Sequence, residues 1–305
     1  MNILFYKMHF MPQHLAYDQL CIEEFIKTNP NINIWIESNY EYMNEADVVV
    51  FDMPLFFHYW GNNTEVTKPA NQIWVAWNFG CEAIFPWIKS QNIKSLFDIW
   101  MSYHPDSDII LPYYHYSYLE QLKIKHSLNR CKDVCMFISS TINNSHRLEY
   151  LKELSYYLKI DSYGKWMNNI NIECDEGYKT KLKIISEYKF TIAFENSIVN
   201  DYVTEKFYEP LLVGSIPIYM GAPNIDDYSP SSDAFINVND FFSPKELAQA
   251  VKDICNNTNL YQSFFMWKDQ EFNSSFIEKV LDQKVHPIEK MIIISQFLLK
   301  RNNTH

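Results

Sequence analysis

Glycine is scarce in this chain: six occur in 305 residues, at positions 61, 80, 164, 177, 214 and 221. None forms G-x-G-x-x-G or G-x-x-x-x-G-K-[ST], which argues against a dinucleotide oxidoreductase and a P-loop enzyme. Any phosphate bound here must be held by cationic side chains and helix N-termini. Basic charge is also short. A formal charge of -11 argues against a general nucleic-acid binder, which carries a basic face or stripe, so no nucleic-acid partner is expected. An anionic substrate would need a local cationic site in an otherwise acidic or apolar setting.

Cysteine pairs and long apolar runs are missing as well. Cys21, Cys81, Cys131, Cys135, Cys174 and Cys255 form no C-x-x-C, which fits reduced, mostly buried thiols and not a zinc site. No run of about 18 apolar residues occurs, and Asn2 opens a strand-like segment without a basic, apolar leader, so neither a transmembrane segment nor secretion is expected. The expected location is the cytoplasm, with peripheral membrane association as a variant of it.

What is present is an alternation. Short runs rich in Ile, Val, Phe and Tyr recur between helix-like stretches, the pattern of strands covered by helices on both faces. Strands are expected at Asn2–Phe10, Ile32–Glu37, Ala46–Phe51, Ile73–Asn78, Ile99–Tyr103 and Ile109–Leu111. The second half repeats the style at Val134–Ile138, Ile160–Tyr163, Phe190–Phe194, Ser215–Tyr219 and Phe235–Val238. Helices are expected at Gln13–Thr28, Arg147–Leu158, Lys179–Glu187, after Thr204, at Pro244–Cys255 and at Pro287–Lys300. In the last, Met291, Ile294, Phe297 and Leu298 share a face expected to pack back across the domains. The fold class that follows is α/β: two Rossmann-like domains facing a central cleft, joined near Ser117–Cys131.

Two cations stand at awkward places. Arg147 opens a helix after the candidate caps Asn143, Asn144 and Ser145, and Lys206 follows a candidate cap at Thr204. A helix start favours an anion, not a cation. Each has an ordinary reading, a surface arginine paired with Glu149 or Glu153 and an exposed Glu205–Lys206 ion pair. Taken together, the two cations would grip a diphosphate.

Carboxylates supply the other candidates. Asp106-Ser107-Asp108 has the D-x-D form that can hold a divalent cation, though two aspartates in a turn are commonplace. Glu82 follows the strand Ile73–Asn78 at its C-terminal edge, where open α/β sheets place ligands. It is either a general base or a solvated loop residue.

Between Phe190 and Asn224 the chain reads Phe190-Thr191-Ile192-Ala193-Phe194-Glu195-Asn196-Ser197, then Asp201-Tyr202-Val203-Thr204-Glu205-Lys206, then Gly214-Ser215-Ile216-Pro217-Ile218-Tyr219-Met220-Gly221-Ala222-Pro223-Asn224. This order and spacing resembles the α-1,3-fucosyltransferases, glycosyltransferase family 10. The likeness extends through Ala234–Phe241 and back to Phe97–Tyr103, Phe137–Ser139 and Tyr163-Gly164. It implies a GT-B fold, with residues 1–125 as the acceptor-side domain, 126–280 as the GDP-sugar-binding domain and 281–305 as a C-terminal helix and tail. It implies an inverting transfer of L-fucose from GDP-β-L-fucose to a hydroxyl, O3 of GlcNAc or Glc, of an oligosaccharide or glycan acceptor. By the same likeness Arg147 and Lys206 contact the diphosphate, Tyr202 and Glu205 lie against the ribose, fucose or phosphates, and Ser139 and Asn196 match donor-contacting positions. The D-x-D triplet is no metal site in that family, so no cofactor and no divalent metal are expected.

Three features depart from the pattern. Gly80-Cys81-Glu82-Ala83 replaces the family's Glu-Ser-Pro, Pro210 interrupts a helix, and the tail lacks the paired cysteines of animal members. Glu82 is the expected catalytic base. The alternatives are another nucleotide sugar on the same fold, and a non-catalytic carbohydrate-binding relative.

Overall fold

The computed structural model describes residues 1–6, 25, 27–60, 67–113, 121–281 and 285–302. The chain divides into two compact units, Met1–Tyr113 with Gln283–His305, and Tyr114–Asp282. Each is built on one parallel sheet.

In the first unit the strands are β1 (Asn2–Tyr6), β2 (Asn33–Glu37), β3 (Val48–Asp52), β4 (Ile73–Asn78), β5 (Ile99–Ser102) and β6 (Ile109–Ile110), in spatial order β2-β1-β3-β4-β5-β6. The central strands are apolar on both faces, as a sheet covered on both sides requires. One face packs Ile3, Phe5, Val48, Val50, Val75 and Trp77; the other packs Leu4, Val49, Phe51, Trp74 and Ala76. Helix α1 (Met53–Trp60) follows β3 directly and contributes Phe56 to the second face. The expected helix at Gln13–Thr28, like Cys21, falls mostly outside the described residues.

The second unit carries β7 (Lys132–Met136), helix α2 (Arg147–Leu154), β8 (Asp161–Ser162), α3 (Tyr178–Ile185), β9 (Tyr188–Phe194), α4 (Glu205–Val213), β10 (Ile216–Met220), β11 (Ile236–Asn237) and α5 (Pro244–Asn256). Its strand order is β11-β10-β9-β7-β8. Helix α2 is shorter than the expected Arg147–Leu158. The part of the expected junction that is described, Gln121 to Cys131, begins as a single turn and runs on without regular structure. The ammonium of buried Lys268 ties it down through the carbonyls of Leu122 and Ile124.

The last helix is α6 (Pro287–Asn302). It belongs to the first unit, where Ile288, Met291 and Ile292 are buried against Ile3, Val48 and Val75. Ile294 and Leu298 are partly buried there, while Phe297 is 66% exposed. Spacing explains this. Ile288, Met291, Ile292 and Ser295 lie three or four apart and share a face, whereas six steps of about 100° carry Phe297 away from Met291.

Pro210 does not end α4. It is buried in the sixth position, and the amide it lacks would have bonded to the Lys206 carbonyl. Gly214 then closes the helix with φ +76°, and a Cβ there would lie 2.8 Å from Arg130 Nη2. A left-handed cap and a close neighbour both call for glycine. Cys81, Cys131, Cys135, Cys174 and Cys255 are free thiols. Among the described residues no helix is long and apolar enough to cross a membrane.

Candidate active site

In the second sheet, β8 lies on one side of β7 and β9 on the other. The connections leaving the C-terminal ends of β7 and β9 therefore part at a switch point, the position at which open α/β sheets bind ligands. These connections carry Ser139, Arg147, Asn196, Tyr202 and, at the start of α4, Glu205 and Lys206. The candidates chosen from separate stretches of sequence thus converge on one sheet edge.

Lys206 sits as the sequence pattern suggested. Thr204 is the N-cap of α4, its hydroxyl accepting the Lys206 amide at 3.4 Å. The Lys206 ammonium donates to Thr204 Oγ1 at 2.9 Å and Glu205 Oε1 at 3.1 Å, and lies 3.4 Å from Glu195 Oε2. Burial disfavours its charge, but the carboxylates of Glu195 and Glu205 outweigh this and raise its pKa above the ordinary lysine value. Glu195 belongs to the same sequence motif, which by itself gives it no role. It is fully buried, and burial raises its pKa against the lowering pull of Lys206 and Thr204.

Arg147 is neither a surface residue nor paired with Glu149 or Glu153. Only 2% exposed, it donates from Nη1 to Phe194 O at 2.8 Å and from Nη2 to Ser140 O and Ile142 O, each at 3.3 Å. The guanidinium thus staples the loop after β7 to the end of β9. Its Nε has no partner among the described residues. Of the expected caps, Asn143 does serve the helix start, its Oδ1 accepting from Leu148 N at 2.9 Å, whereas Ser145 Oγ donates to Glu195 O at 2.6 Å.

Asn196 offers a buried Oδ1 with no partner among the described residues, which makes it a waiting acceptor. Ser139 is exposed and its Oγ accepts the Lys165 amide at 3.1 Å. Tyr202 is 5% exposed, in a loop held by Asp201. Asp201 adopts φ 66° and is clasped by Asn224, which accepts its amide and donates to its Oδ1, both at 2.9 Å.

Glu82 lies in the first unit, in the turn after β4. Its Oε2 accepts from Tyr103 Oη and lies 3.1 Å from His104 Nε2, and its Oε1 is 3.5 Å from Lys89 Nζ. Burial opposes ionisation of Glu82, but the hydrogen bonds from His104 and Tyr103 prevail and lower its pKa to about 2. Replacing Tyr103 by Phe is expected to raise that value by about one unit, the size of one charge-assisted hydrogen bond. A ¹³C NMR titration of the glutamate carboxyl would measure it.

The D-x-D candidate has a structural task. Asp108 Oδ2 accepts the Trp100 amide at 2.7 Å. A carboxylate missed by sequence reading is Asp52, at the C-terminal end of β3, whose pKa burial raises to about 6 against a hydrogen bond from the Leu55 amide. The signal for it was the polar residue closing the apolar run Val48–Phe51.

Residues 127–292 match the family model described as glycosyltransferase family 10 (fucosyltransferase) C-term, and residues 2–114 match the fucosyltransferase N-terminal model. The chain belongs to glycosyltransferase family 10. A family 10 relative, 4-galactosyl-N-acetylglucosaminide 3-alpha-L-fucosyltransferase 9 of Bos taurus, is 34% identical over 209 residues. That match covers 68% of this chain and 56% of the relative, so the chain spans little more than half of that protein's length. GDP-fucose protein O-fucosyltransferase 3 of Canis lupus familiaris is 35% identical over 162 residues, 50% of this chain and 33% of the relative. A crystal structure of alpha1,3-fucosyltransferase with GDP-fucose superimposes with a TM-score of 0.64 at 17% identity, covering 98% of this chain and 90% of that one. The family 10 fold, GT-B type with two parallel α/β units, is therefore the fold of this chain.

Proposed function

We propose that this chain is an inverting fucosyltransferase that moves L-fucose from GDP-β-L-fucose to a hydroxyl of a glycan. The observation that carries the reading is the Lys206 ammonium, held at the start of α4 on a switch-point edge. Arg147, Tyr202, Glu205, Ser139 and Asn196 would complete the donor site on the same edge.

As the bond between fucose and the β-phosphate breaks, negative charge grows on the phosphate. Cations fixed beforehand by the fold stabilise that state more than the ground state. The Lys206 ammonium meets the phosphate, and Arg147 adds its charge from beneath the loop. On the acceptor side, Glu82 takes the proton of the attacking hydroxyl. Attack from the face opposite GDP turns the β donor into an α product, with no covalent intermediate.

Asp108 is engaged with the Trp100 amide, and no metal takes part in this scheme. The direct test is GDP release from GDP-fucose with N-acetyllactosamine as acceptor, with and without EDTA. Acceptor-dependent release that EDTA leaves unchanged is the expected result. Release abolished by EDTA and restored by a divalent cation would overturn the metal-free scheme. No release, with any acceptor, would leave a binding protein.

A second reading concerns the acceptor. The likeness to protein O-fucosyltransferase 3 over half the chain favours a serine or threonine hydroxyl. A screen of glycans beside Ser/Thr peptides separates the two.

A further inference from the structure

The buried side of the Lys206 ammonium is made by a carboxylate that no step above uses. Glu195 follows the last residue of β9 and is fully buried. Its main chain is fixed at both ends, the amide donating to Met220 O at 2.7 Å and the carbonyl accepting from Ser145 Oγ at 2.6 Å. Gly221 walls in its side chain: a Cβ there would lie 2.7 Å from Glu195 Cγ and 2.3 Å from Tyr219 Oη.

Both carboxylate oxygens address the start of α4. Oε1 accepts the Thr204 amide at 2.8 Å, and Oε2 accepts the Thr204 hydroxyl at 3.0 Å with the Lys206 ammonium 3.4 Å away. The ammonium has three protons, and Thr204, Glu205 and Glu195 face them. These three differ in access. The Glu205 side chain is 28% exposed and that of Glu195 is not exposed at all. A phosphate arriving from solvent can replace Glu205 on the ammonium, whereas Glu195 stays behind it.

We infer that Glu195 is the positioning residue of the donor site, locking Thr204 and holding the Lys206 ammonium where a diphosphate oxygen meets it. It does not touch the donor. Lysine is a compact charge on a flexible stem, and ordering it before the ligand arrives removes that cost from binding. The inference rests on the reading of Lys206 as a phosphate ligand.

Glutamine at this position tests it. An amide nitrogen cannot accept from the Thr204 hydroxyl or from an ammonium, and a flipped amide abandons the Thr204 amide instead. Calorimetric titration of GDP into the full chain should show Glu195→Gln binding about tenfold more weakly or worse, one lost charge-assisted hydrogen bond. Glu195→Asp, which keeps the charge, should recover part of that loss. By ¹³C NMR of reductively methylated protein, the Lys206 resonance, assigned by its loss in Lys206→Ala, should titrate at lower pH in Glu195→Gln than in wild type. Should Glu195→Gln fail to fold, Thr204→Val, which keeps shape and removes the bridging hydroxyl, is expected to weaken GDP by several fold. Wild-type GDP affinity in Glu195→Gln, or in Thr204→Val in its place, alongside a large loss in Lys206→Ala, would overturn the positioning role and leave the donor site standing. Wild-type affinity in Lys206→Ala would overturn the donor reading itself, and the positioning role with it.

Discussion

Replacing Lys206 by alanine is expected to weaken GDP binding by about 100-fold or more. An ammonium that meets a phosphate supplies charge-assisted hydrogen bonds of about 1.5–3 kcal/mol each, and every 1.4 kcal/mol is about tenfold in affinity. The substitution also leaves Glu195 buried without its cation, a situation that costs about 3–5 kcal/mol when the remaining charge persists. Glu195 can escape by taking up a proton, since burial already raises its pKa above the ordinary 4.5. The sign follows from that direction. A carboxyl whose folded pKa lies above its unfolded value contributes stability that is fully present below the unfolded pKa and is lost as pH rises through the folded one. Without Lys206 the folded value moves higher still, so the deficit in melting temperature should be larger at about pH 8 than at about pH 5. Thermal denaturation at the two pH values measures it, and an equal deficit at both would mean that Glu195 does not titrate.

Replacing Glu82 by glutamine is expected to lower turnover by about 10²–10⁴-fold, the usual worth of a general base, with GDP binding unchanged. Glu82 belongs to the first unit and the proposed donor residues to the second, which is why the two variants are expected to separate chemistry from binding. A carboxylate held at about 2 by His104 and Tyr103 is ionised throughout the working pH range. It is also a weak proton acceptor. In the proposed scheme it would take the proton late, once the attacking hydroxyl has begun to bond to the sugar and has become acidic. Steady-state kinetics beside GDP calorimetry decides the matter. Full turnover in Glu82→Gln would move the base elsewhere on the first sheet's edge, and Asp52, raised to about 6, is the carboxylate to examine next.

Strands were legible because the fold buries them on both faces: Val48-Val49-Val50-Phe51 and Ile73-Trp74-Val75-Ala76 can hardly be anything else. The cap at Thr204 was legible for a local reason, since its hydroxyl serves an amide two residues on. What escaped was tertiary. Arg147 is ill-placed for its own helix, and that much shows in the sequence. The carbonyls that receive it come in part from Phe194, 47 residues away, so its burial does not show. Glu195 reads as a polar residue ending a strand, and only the return of Thr204 against it reveals a buried carboxylate. Tyr103 and His104 stand more than 20 residues from Glu82, and nothing local announces that they hold its charge. The face of α6 was misassigned at Phe297 because a run of apolar residues nearly all round a helix does not say which side is covered.

The most direct measurement is ¹H NMR of the product formed from GDP-β-L-fucose and N-acetyllactosamine by the wild-type chain. Transfer as proposed gives one new α-linked fucose for each GDP released, on a GlcNAc hydroxyl, and none in Lys206→Ala. A β-linked product, free fucose as the sole product, or undiminished product from Lys206→Ala would contradict it.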